Sequence, residues 1–324
     1  MYKIVVCGCG AMSAVWIDIV RKRGDCEIVG LADIRVEAAE EKKEKFQLDA
    51  NVYPSIYAAL EKEAPDIVLD ITTPEAHFEI VTAALEAGCD VFGEKPMSDS
   101  LESAEKMVAC AEKTGKEYFV MQNRRYVPGV WALRDLVQSR KLGGLGQVSV
   151  NYQMAPRFGG FRDEMDSPLI ADMAIHTFDA ARFITGKNAV SVYCHEFNPS
   201  WSWYRGDSSA VCIFEMEDGS VFDYRGSWCA NGLSTSWESE WRLTCADGSA
   251  FWDGADKLFC ETSSVSDLPL VPLQLLGHEA CINEMFDALG RGTRPQTDCR
   301  DNINSIRMVQ KAIESAKQKQ LIIL

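Results

Sequence analysis

A carboxylate and an imidazole spaced as Asp172-x-x-x-His176 stand out among the residues of this chain that could do chemistry. On a helix that spacing puts both on one face. A carboxylate beside an imidazole can orient it and raise its basicity, which suits taking a proton from a hydroxyl. A plain ion pair on a helix face fits the same spacing. Asp179 continues the face, so Asp172, His176 and Asp179 also offer a set of oxygen and nitrogen ligands for a divalent cation. The chain has only 4 histidines, His77, His176, His195 and His278, and none forms an H-x-x-x-H pair, so no metal is expected.

A second group lies at the other end of the chain. Gly8-Cys9-Gly10-Ala11-Met12-Ser13 follows an apolar run and opens a helical one. It reads G-x-G-x-x-S, with Ser13 where a third glycine is usual. The first glycine permits a tight turn, the second lets the backbone approach a pyrophosphate, and the helix N-terminus supplies amide donors. Asp33 follows about 20 residues on, where a carboxylate accepts from ribose hydroxyls. It would repel a 2′-phosphate, so NAD is expected over NADP, although Arg35 works against that preference. Polar segments close the later apolar runs: Thr72-Thr73-Pro74, Glu94-Lys95-Pro96 and Gln122-Asn123-Arg124-Arg125. In sheets of this kind ligands bind outside the carboxyl ends of the strands. The candidate cofactor contacts are therefore Gly8, Gly10, Ala11, Met12, Asp33, Arg35, Thr72, Thr73, Pro74, His77, Glu94, Lys95 and Asn123. His77 fits a capping or packing role equally well.

These residues need a scaffold. Strand-like runs at 3–7, 27–32, 66–71, 90–93 and 117–121 alternate with helical segments at 15–23, 36–46, 56–63, 78–87 and 101–113. That alternation implies βαβ units and a parallel sheet. From residue 146 the texture becomes a meander, with hairpin signals at Asp218-Gly219 and Asp247-Gly248. One helix, from 168 to about 185, interrupts it, with Ser167 expected as N-cap and Pro168 at the first helical position. The expected domains are 1–122 and 123–324, the C-terminal helices being free to pack back on the first. At 47% hydrophobic and 25% charged residues the chain has the balance of a folded protein rather than a disordered one. A net charge of −15 disfavours nucleic acid and anionic membranes as partners. Met1 to Val6 read as a strand, not a signal peptide, and the 12 scattered cysteines suit a reducing cytosol.

Taken in order, Gly8-x-Gly10, Asp33, Thr72-Thr73-Pro74-x-x-His77, Glu94-Lys95-Pro96 and Asp172-x-x-x-His176 resemble the pattern of the Gfo/Idh/MocA family, which includes glucose–fructose oxidoreductase and inositol dehydrogenases. The resemblance spans nearly the whole chain, with Ser13 and Ala174 standing where the family usually has glycine. It implies an α/β fold: an N-terminal Rossmann domain and a C-terminal α/β domain with an open, mostly antiparallel sheet. It further implies a nicotinamide cofactor, a sugar or cyclic polyol substrate, and a homodimer or homotetramer built on the sheet. In that setting His176 is the expected general base, Asp172 its partner, and Lys95 a catalytic group on the nicotinamide side. Arg157, Arg162 and Trp237, with Trp203 and Tyr204, are candidate substrate contacts alongside Asp172 and His176. Two other outcomes fit the same residues: an NAD-retaining lyase or glycoside-cleaving enzyme working by transient oxidation, and a non-enzymatic NAD-sensing module.

Overall fold

The computed structural model describes all 324 residues. They divide into two compact units, Met1–Asn123 with Leu275–Ile306, and Arg124–Gln274 with Arg307–Leu324.

In the first unit, strands Tyr2–Cys7, Cys26–Ala32, Asn51–Tyr53, Ile67–Asp70, Asp90–Gly93 and Tyr118–Val120 form a parallel sheet. Their spatial order is third, second, first, fourth, fifth, sixth, the doubly wound order of dinucleotide-binding domains. Ile4, Val5 and Val6, like Ile67, Val68 and Leu69, are fully buried, because helices cover both faces of the sheet. Ser55 and Ser100 cap the helices Ile56–Glu63 and Leu101–Thr114 by accepting from the amides of Ala58 and Ser103. Helix Gly277–Arg291 belongs to this unit too. Its Phe286 ring meets Phe92 edge-on at 4.9 Å. The strand Asn51–Tyr53 is absent from the sequence reading: with three residues and one apolar side chain it offers no periodicity to detect.

The second unit holds a nine-stranded sheet. Its only parallel pair is central, Leu145–Gln153 with Val221–Ser227, and the remaining strands pair antiparallel. Strand Ser209–Met216 alternates buried and exposed positions, the mark of a sheet covered on one side. The covered side meets helix Ile175–Thr185, where Phe178 packs on Phe214, Phe222 and Tyr224. On the other side Tyr193, Phe197, Val211 and Ile213 are exposed. The expected single helix from 168 is two segments, a π-helical turn Leu169–Ala174 followed by the α-helix. Ser167 does not cap it; its hydroxyl donates to Glu196 Oε2 at 3.0 Å instead. A further helix, Pro128–Gln138, runs so close to Trp252 that a Cβ on Gly129 would lie 2.2 Å from the indole. No helix is long and apolar enough to cross a membrane.

Candidate active site

In the first unit the candidate cofactor site is built by backbone. Gly8 sits at φ +89°, and a Cβ there would lie 2.5 Å from the Ile71 carbonyl oxygen. Only glycine satisfies both conditions. Gly10 has nothing within 4 Å of where its Cβ would stand, so a ligand can come up to the main chain. Ser13 is fully buried and its hydroxyl donates to the Gly10 carbonyl at 2.7 Å, so the third position ties the turn together rather than leaving room. Asp33 accepts from the amides of Cys9 (2.7 Å) and Arg35 (2.8 Å). Its carboxylate therefore stands over the glycine turn. Cys9, Gly10, Ala11, Arg35, Glu37 and Lys42 line a cleft of about 350 Å³ there. Glycine turn, helix N-terminus and fixed carboxylate together fit a dinucleotide. Met12 is exposed.

Thr73 is exposed, whereas Thr72 and Pro74 are half-buried. Thr72 donates its hydroxyl to Asp70 Oδ1 at 2.6 Å, and His77 Nδ1 lies 2.7 Å from Asp70 Oδ2. His77 is fully buried. Its Nδ1 side props the loop from behind through Asp70, while its Nε2 is buried without a protein partner. Burial alone pulls its pKa down, but the Asp70 carboxylate outweighs that and the net shift is upward. Glu94 is also turned inward: it accepts from Trp16 Nε1 at 2.7 Å and from the Lys95 amide at 3.1 Å. These contacts set the backbone that carries Lys95. Asn123 Nδ2 lies 3.5 Å from His278 Nδ1.

In the second unit the candidate residues are held by side chains. Asp172 stands in the π-helical turn and His176 one turn on, 8% exposed. Arg162 Nε donates to Asp172 Oδ2 at 2.6 Å. Arg162, expected to meet substrate, is therefore engaged in holding the carboxylate. Arg157 lies 3.9 Å from the Trp203 ring centroid. Trp237, 41% exposed, flanks Phe158 and Tyr152. Tyr204, a candidate substrate contact, is buried, stacked on Trp228, and donates its hydroxyl to the Pro156 carbonyl. Asp179 lies deeper, in a two-pronged pair with Arg125 at 2.6 and 2.7 Å. Breaking such a buried pair costs about 3–5 kcal/mol.

Two residues escaped the sequence reading. Asp70 could have been suspected from a carboxylate closing the buried run Ile67–Leu69 just ahead of Thr72 and His77. Glu238, which pairs with Arg124 Nη1 at 2.7 Å, carries no local signal at all.

The NAD-binding Rossmann domain of an oxidoreductase family matches residues 2–122, and the GFO/IDH/MocA C-terminal domain matches residues 130–251. The chain belongs to the Gfo/Idh/MocA oxidoreductase family. It is 34% identical to a D-glucoside 3-dehydrogenase of Escherichia coli over 54% of this chain and 51% of that one. It is 26% identical to a myo-inositol 2-dehydrogenase of Thermotoga maritima over 59% and 57% of the two chains. Both matches thus span a little over half of each relative. An Agrobacterium radiobacter oxidoreductase, solved with NAD+, L-tartaric acid and magnesium, shares the fold with a TM-score of 0.91 at 19% identity, over 99% of this chain and 98% of that one. Members of the family bind NAD through this Rossmann domain, and the named relatives are dehydrogenases.

Proposed function

We propose that the chain oxidises a ring hydroxyl of a neutral sugar, glycoside or cyclic polyol with NAD as acceptor. When bound, NAD supplies the hydride-accepting carbon. His176 takes the hydroxyl proton, and Asp172 fixes the imidazole's orientation and steadies its charged form. Lys95 stabilises the alkoxide charge that develops as the proton leaves. The observation that carries this reading is the Arg162 clamp on Asp172, which holds a carboxylate in place one helical turn from a nearly buried imidazole. The aromatic faces of Trp237 and Phe158 suit the C–H faces of a ring. The names of the glucoside and inositol relatives favour the same class. Preference for NAD over NADP rests on Asp33, and the exposed apolar face of Val211 and Ile213 supports assembly into a homodimer or homotetramer. Twelve free cysteines suit a reducing cytoplasm.

The test is an absorbance screen with NAD of glucosides, inositols, sugar acids and linear hydroxy acids. Glucosides or inositols should lead. A clear preference for a linear hydroxy acid would overturn the reading, and NAD retained through purification with no free NADH released would move it to transient oxidation.

A further inference from the structure

We propose that Glu238 sets the charge class of the substrate by masking Arg124, so that the site refuses carboxylate-bearing sugars. The inference rests on the ring-polyol reading above and adds a residue to it. Arg124 Nη1 bonds to Glu238 Oε2 at 2.7 Å and to the Trp237 carbonyl, while Nη2 lies 4.0 Å from the sulfur of Met173, next in chain to Asp172. The side chains are only 15% and 27% exposed. Arg124 thus reaches the residue that follows Asp172, and the charges of Arg124 and Asp172 both act on the Tyr152 hydroxyl.

Glu238 is held there by its turn. Its amide donates to Ser236 Oγ at 3.0 Å, and its carbonyl accepts from the Trp241 indole N–H at 2.7 Å. Ser239, next in the chain, adopts φ +68°, a left-handed conformation non-glycine residues rarely take. A guanidinium is a ready-made fork for a carboxylate. With Glu238 in place, Arg124 and Glu238 sum to zero charge, as do Arg162 and Asp172. A second carboxylate would meet repulsion from Glu238 and Asp172, while a hydroxyl can still donate to one pair member and accept from the other. Exclusion by a built-in repulsive group is a common source of specificity. Removing the acid leaves a partly buried cation without compensation, a site for an anion.

The experiment is calorimetric titration of the NADH-loaded protein with methyl β-D-glucoside and methyl β-D-glucuronide, which differ only in a carboxylate. In Glu238→Gln the preference should move toward the glucuronide by at least about tenfold, and Arg124→Met in the same chain should abolish the gain. Glu238→Ser serves if the glutamine variant does not fold. A preference within twofold of the starting protein, or a gain that survives loss of Arg124, would overturn the proposal. Malonate, an anion without a ring, separates the two claims. New malonate affinity in Glu238→Gln where the unaltered protein binds no glucoside would sustain the mask and remove the ring-polyol reading. Absence of both the shift and the malonate gain would remove the mask alone.

Discussion

The two units fix their charged groups by different means. Around the glycine turn, Asp33 is held by the amides of Cys9 and Arg35. The sheet dictates where those amides point, so the geometry follows from a few adjacent residues. In the second unit, Asp172 is held by Arg162, Glu238 by Arg124 and Asp179 by Arg125, all side chain to side chain. Such pairs depend on long, flexible groups brought together from separate parts of the chain. The first arrangement tolerates little change in the backbone and much in its surroundings. The second can be retuned one side chain at a time.

The comparison breaks most visibly at the base. His176→Ala should lower turnover by about 10²–10⁴ while NAD affinity, measured by fluorescence titration, stays within a fewfold. Near-normal turnover would remove His176 from the role. On the backbone side, Gly8→Ala puts a Cβ against the Ile71 carbonyl in a left-handed conformation. Loss of stability of about 1–3 kcal/mol in chemical denaturation, with NAD binding weakened as well, is expected. Unchanged NAD affinity would mean the turn does not carry the pyrophosphate. A smaller effect sharpens the side-chain half: Arg162→Met releases Asp172 and should cut turnover by roughly tenfold or more, with NAD affinity untouched. If instead only the substrate KM rose, Arg162 would be a substrate contact and not a clamp.

This difference also decides what could be read from the sequence. The glycine turn, Asp33 and the strand ends were legible because backbone-built sites are local, and βαβ alternation places them in order. Five strands of the first sheet show as apolar runs, the three-residue Tyr118–Val120 among them because it is wholly buried, whereas the equally short Asn51–Tyr53 is polar-led and partly exposed and does not show. In the second unit Asp172 and His176 were legible by their spacing. Their support was not: Arg162 and Tyr204 sit in loop-like stretches that suggest substrate contacts, and Glu238 meets Arg124 only through the fold. Ser167 shows the same limit. A serine ahead of a proline and a helical run has the chemistry of a cap, but Glu196, on the strand Ala189–Phe197, competes for its hydroxyl and wins.

That last contact gives the smallest and most specific prediction. Burial pushes the Glu196 carboxyl up from 4.5 to about 7, aided by the charge of Asp207 and opposed by the Ser167 hydroxyl and Lys317. Its Oε1 is buried without a partner, so ionisation leaves a poorly solvated oxygen. In the unfolded chain the same carboxyl titrates near 4.5 and ionises first as pH rises. The folded state therefore holds the extra proton between about pH 4.5 and 7, and stability should fall across that window and level off above it. The loss is on the order of 1–3 kcal/mol, less than the full shift implies because the group keeps some contact with water. Glu196→Gln keeps an acceptor for Ser167 but carries no titrating proton. It should flatten the melting temperature between pH 5 and 8 and raise it at the alkaline end, with little change near pH 5. A side-chain pin can be adjusted in this way without moving the sheet, whereas no neutral substitute exists for an amide that holds Asp33. Equal pH slopes in the two proteins would show that Glu196 is ionised throughout and that Ser167 is held by a charge after all.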